Sequence, residues 1–109
     1  MAINDNEAAT IKFAVVNLSA TGDLVTAVSG KKIRVLGYVL SGNGTVSANF
    51  ESDTTDISGL LKLAANTTVS YAGGWDAPAF ETASGEKLAL TLSGSVDVDG
   101  HVTYVLVDA

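Results

Sequence analysis

The only histidine of the chain stands in the run Ser-Val-Asp-Val-Asp-Gly-His-Val, residues 95–102, close behind two aspartates and a glycine. Such a spacing invites a calcium loop. That loop takes oxygen ligands at positions 1, 3 and 5, glycine at 6, a backbone carbonyl at 7 and a bidentate glutamate at 12. Here Ser95, Asp97 and Asp99 fill the first three ligand positions, Gly100 the glycine and His101 the carbonyl. The twelfth position is Leu106, the first carries no charge, and both flanks have a β pattern where the loop requires helices. The run reads as a turn.

A bulged hairpin accounts for the same residues. With Val98-Asp99-Gly100 as a three-residue loop and Gly100 in the left-handed conformation, Asp97 faces His101, Val96 faces Val102 and Ser95 faces Thr103. Apolar then meets apolar and polar meets polar, which a two-residue Asp99-Gly100 turn does not achieve. The expectation is a solvent-face Asp97–His101 pair between two closing strands.

Other chemistry has less to build on. A nucleophilic serine needs a base, and the sole histidine lies in a polar stretch with no Gly-x-Ser-x-Gly elbow anywhere. Two carboxylates suffice for glycoside hydrolysis, but only 6% of the residues are aromatic, too few for a sugar platform. The glycines form neither a phosphate loop nor a dinucleotide fingerprint. Without cysteine there is no disulfide, thiol nucleophile or zinc-thiolate site, and the redox compartment stays open. No catalytic residue, cofactor or metal is expected.

The elements that would position these residues are short and β-like. Ser, Thr and eleven glycines punctuate a chain that is 47% hydrophobic, mostly Ala, Val and Leu. Val46, Ala48 and Phe50 alternate with Ser47, Asn49 and Glu51, the signature of a half-buried strand. In "KKIRVLGYVL" both alternating sets are apolar, so this strand is expected to be covered on both faces. Ser41-Gly42-Asn43-Gly44 has the chemistry of a hairpin turn. Leu60 to Ala64 are too few for a stable helix and read as a strand. Trp75, after Gly73-Gly74, is either an anchor for a partner or a lid over one end of the fold. Turns recur every eight to twelve residues, the spacing of a sandwich or jelly roll.

A chain of 109 residues is one domain. Residues 1–9 are polar and acidic and are expected to form a flexible arm, with residues 10–109 as an all-β sandwich. Six basic against twelve acidic residues give a net charge of -6, which argues against a nucleic-acid partner. The basic cluster Lys31-Lys32-x-Arg34 reads as a solvated strand end. "MAINDNEAATIKF" lacks the apolar core of a signal peptide or membrane span, so a soluble protein made in a cytoplasm is expected.

Several pieces together resemble a small β domain of tailed-bacteriophage virion proteins: Gly30-Lys31-Lys32-Ile33-Arg34-Val35, Ser58-Gly59, Thr82-Ala83-x-Gly85-Glu86-x-Leu88 and Gly100-x-x-x-Tyr104. The resemblance covers about residues 10 to 107 and rests on strand and turn positions, so it transfers no active site. It implies a jelly-roll-like domain, a homotrimer, and a non-enzymatic role in decorating and stabilising the capsid from the virion exterior, with the major capsid protein lattice as partner. The protein would be made in the cytoplasm of the bacterial host. The strand at 33–40 would serve as core and trimer contact together. Ile3, Asn4 and Asp5 of the arm, which would order on the shell, and Trp75 are the candidate partner contacts. The competing expectation is a carbohydrate- or receptor-binding module of a phage fibre or bacterial adhesin, built on Trp75, Tyr38, Tyr71 and Tyr104.

Overall fold

The computed structural model describes residues 10–108. Ten strands form two antiparallel sheets, and the apolar face of each closes on the other. In the first sheet β1 (Lys12–Leu18) pairs with β10 (Val98–Asp108), β10 with β3 (Lys31–Gly42), and β3 with both β7 (Thr67–Ala72) and β8 (Phe80–Glu81). In the second, β2 (Gly22–Val25) pairs with β9 (Leu88–Leu92), β9 with β4 (Val46–Ser52), and β4 with β5 (Thr55–Asp56) and β6 (Leu61–Leu63). This is an all-β sandwich.

Alternation explains the core. Val46, Ala48 and Phe50 of β4 and Leu88, Leu90 and Leu92 of β9 are buried, as are Ile33, Val35 and Leu40 of β3 and Val98 and Val102 of β10. Phe50 crosses the gap between the sheets. Its ring centroid lies 5.1 Å from that of Tyr38 and 4.8 Å from that of Phe80, both of the first sheet. A buried side chain of this size is worth about 3–5 kcal/mol against truncation to alanine. Residues 61–63 form a strand, as their short apolar run suggests.

Two turn readings need correction. Ser41-Gly42-Asn43-Gly44 does not close a hairpin: β3 belongs to the first sheet and β4 to the second, so the tetrapeptide crosses between them. Val98-Asp99-Gly100 is no turn either. These residues open β10, which lies between β1 and β3. His101 therefore has Val15 on one side and Val39 on the other, and the expected Asp97–His101 cross-strand pair does not form. Asp97 ends the loop before β10, where its carbonyl accepts a hydrogen bond from the Asn43 amide at 3.0 Å. Glycine and asparagine permit a chain reversal, but they do not decide which sheet the next strand joins.

Gly100 still serves backbone geometry, for a different reason. Its φ is +146°, and a Cβ there would come 1.8 Å from the carbonyl oxygen of Val39 on the neighbouring strand. Gly100→Ala is thus expected to cost about 3 kcal/mol or more, from backbone strain together with the clash. Gly30→Ala, at φ +76° in open space, should cost only about 1–2 kcal/mol. Urea unfolding of the two variants checks the contrast, and similar losses would contradict it.

Between β2 and β9, Lys87 donates a hydrogen bond to Asp23 at 3.0 Å. That bond first, and the Asp23 charge second, hold the lysine pKa above its ordinary value. A raised pKa makes the pair's contribution complete below the unfolded lysine value, about 10.4, and lost as pH rises through the folded value. Asp23→Asn should lower the Lys87 midpoint in an NMR titration, and an unchanged midpoint would remove the pair's role.

Candidate functional site

The outer faces of the two sheets differ. The second sheet carries the polar set expected of a solvated face on its outer side, with Ser47 beside Lys62 and Asn49, which is buried, beside Thr91. Asn49 donates a side-chain hydrogen bond to Asp56 at 2.7 Å. On the first sheet one outer row runs Val15–His101–Val39–Ser70, and the next runs Phe13–Thr103–Gly37–Ala72. Phe13 is 70% exposed, Val15 68% and Ile11 54%.

A groove of about 380 Å³ opens on this face. Its floor is built by an irregularity in β3. Thr103 pairs with Gly37 and Tyr104 with Val35, so Leu36 is an extra residue, a β-bulge. Leu36 is buried yet stands apart from the sandwich core, and it lines the groove with Val39, His101 and Thr103. Apart from His101, no charged or titrating side chain other than tyrosine lines it.

The far wall is the loop between β7 and β8. The bulge anchors it at both ends: the Gly73 amide donates to the Leu36 carbonyl at 2.9 Å, and the Ala79 amide to the Val35 carbonyl at 2.8 Å. Inside the loop the Tyr71 hydroxyl donates to the Ala77 carbonyl at 2.7 Å. Gly73 is required there, because a Cβ would come 2.1 Å from the Ala77 oxygen.

Trp75 walls the groove with its ring over the Arg34 guanidinium, 5.9 Å from centroid to Cζ. Arg34 is itself ion-paired to Glu81, its partner across the β3–β8 ladder. Lys31 pairs with Asp108. The basic cluster is therefore drawn into ion pairs at two of its three positions instead of being left to solvent.

No family model matches this chain, and no curated protein matches it. A solved structure from Bacillus endospore appendages, described as a novel family of disulfide-linked pili, is similar over 92% of this chain and 89% of its own. The identity is 12% and the TM-score 0.48.

Of the residues singled out in the sequence, Trp75 falls in the groove wall, and Tyr38 and Tyr71 line the same groove. Tyr104 packs against the core, as does the ring of Tyr38. Ile3, Asn4 and Asp5 lie outside the described residues. Asp97, Asp99 and His101 do not converge, and among the described residues no three of His, Asp or Glu are placed to hold a metal ion. Ile11, Phe13 and Val15 escaped the sequence reading. Their signal is present in "TIKFAVV", where Ile11, Phe13 and Val15 form an unbroken apolar set while the alternate set, which holds the buried Val16, begins with Thr10 and Lys12.

Trp75 is the chain's one tryptophan and reports on its own wall. Arg34→Ala removes a cation–π contact worth about 0.5–1 kcal/mol at an exposed site. Trp75 emission should shift to the red and become more open to acrylamide quenching, whereas Lys62→Ala on the second sheet should change neither. Identical spectra for Arg34→Ala and the wild type would show that the guanidinium does not hold the ring.

Proposed function

We propose that this chain is a non-enzymatic structural subunit of a phage virion that decorates and stabilises the capsid. The observation that carries the reading is the uncovered apolar face. Five of the seven large hydrophobic side chains exposed among the described residues, Ile11, Phe13, Val15, Tyr71 and Trp75, line or border one groove. A patch of this kind marks a surface that is covered in use. The capsid setting is drawn from the strand and turn residues that resemble virion β domains.

The strand order supports a jelly-roll reading. Both sheets are antiparallel, the first and last strands are neighbours, and β1, β2, β3 and β4 alternate between the sheets. A homotrimer seated on the major capsid protein lattice fits this role, with residues 1–9 as the segment that orders on the shell.

In a co-sedimentation assay the purified protein should bind capsid shells saturably. Deleting residues 2–9 should weaken that binding at least about 10-fold, the loss expected when a segment that folds on binding is removed. A second reading, a carbohydrate- or receptor-binding module of a fibre or adhesin, is favoured by the two aromatic side chains Trp75 and Tyr71 in the groove. Binding on a glycan array with no binding to shells would replace decoration by that module.

A further inference from the structure

We infer that the groove on the first sheet is filled by the Phe13–Val15 ridge of a second copy of this chain. The inference deepens the assembly reading above and rests on it for the need of a partner, but not for the identity of the capsid.

Shape is the first argument. Phe13 and Val15 project from β1, the edge strand, and are the most exposed large hydrophobic side chains among the described residues. The groove lies beside them on the same face, floored by Leu36, Gly37 and Val39 and walled by Trp75. Gly37 leaves the floor low where a side chain would otherwise stand, and its backbone passes so close to Tyr71 that a Cβ would lie 2.8 Å from the carbonyl oxygen. One face thus carries both a ridge of bulky side chains and a cleft without them.

Charge is the second argument. The chain has a net charge of -6, so two copies repel one another across most approaches. None of the groove-lining residues is acidic. Acids stand only at its margins: Asp99 in the outer row beyond His101, Asp76 after Trp75, and Glu81 neutralised by Arg34. Two like-charged copies can therefore meet across the groove without setting acid against acid there, and a basic partner would find no acid among its lining residues.

Area is the third argument. The five exposed side chains leave on the order of 500 Å² of apolar surface in water, near the top of what a monomer shows in one patch. With the groove floor and the flanking Thr103, Ser70 and Ala72, the face approaches the roughly 800 Å² per partner of a stable interface. Ridge and groove are different surfaces, so the contact is reciprocal across a two-fold axis or successive around a ring of three.

Sedimentation equilibrium of the purified chain, without capsids, tests this. The wild type should run as an oligomer. Phe13→Asp on the ridge and Ala72→Arg in the groove should each raise the dissociation constant at least about 30-fold, the loss of a central anchor. Both positions are exposed, so circular dichroism should show an unchanged fold; Val15→Ser is the milder ridge variant should Phe13→Asp not fold. Leu60→Asp, an equally exposed hydrophobic outside the groove lining, should leave the mass unchanged. An equimolar mixture of the two charged variants should regain association, because each supplies the surface the other has lost.

A monomeric wild type, or an oligomer indifferent to both face variants, overturns the inference. So does a monomer whose groove takes up an oligosaccharide. A monomer that still co-sediments with shells would overturn this contact and leave decoration standing. An oligomer that obeys the variants but ignores shells would do the reverse, and a mass of two copies would retire the trimer alone.

Discussion

The pairing of β3 with β10, and the one residue by which it is out of step, is the constraint on which the rest of this sandwich depends. β3 hydrogen-bonds to three other strands. Before the bulge its odd-numbered side chains, Ile33 and Val35, enter the core; after it the even-numbered Tyr38 and Leu40 do. A strict two-residue period would have sent one of these pairs to solvent. Leu36 absorbs the change of phase and turns to the other side of the sheet. The same irregularity presents the Val35 and Leu36 carbonyls to the loop carrying Trp75. One extra residue therefore completes the core, floors the groove and fixes its wall.

β10 meets a complementary constraint. It is held between β1 and β3 close enough that Gly100 has no room for a side chain beside Val39. That close approach brings His101 and Thr103 into line with Val15, Val39, Phe13 and Gly37, making a continuous outer surface across three strands. The residues that suggested an ion site are thus spread out: Asp97 ends the loop before β10, Asp99 and His101 follow along its outer face, and among the described residues they form no group that could hold a metal ion.

How much of this was legible in the sequence follows from the range of each signal. Side-chain alternation is local, so the buried set Val46, Ala48 and Phe50 could be read directly, and with it the all-β class. The two-sided apolar character of residues 33–40 was also visible. Its cause was not, because a bulge is defined by the partner strand, and Thr103 and Tyr104 lie far along the chain. Turn chemistry misled at Gly42–Gly44 and at Asp99–Gly100 for a related reason. A glycine needed for a reversal and a glycine needed because another backbone passes close by look alike in one dimension. Arg34 beneath Trp75 is a contact between distant segments that no spacing rule anticipates.

The contrast between the two outer faces carries the functional argument further than either face alone. An antiparallel sheet with one solvated face ordinarily alternates apolar-in and polar-out. The second sheet obeys, with Ser47, Asn49, Thr91 and Lys62 on its outer side, whereas the first presents Phe13, Val15 and Val39. Burying on the order of 500 Å² of such surface gains about 12 kcal/mol at 25 cal/mol per Å². Association costs about 4–15 kcal/mol in lost freedom before any contact is rewarded. The two terms nearly cancel, so this face by itself supports a contact of modest affinity. Modest contacts become strong when a common surface holds several copies at high effective concentration. A subunit that joins its neighbours weakly in solution and firmly on a lattice avoids premature aggregation during synthesis. An apolar sheet face with its acids kept to the margin has the physical properties that such a subunit requires.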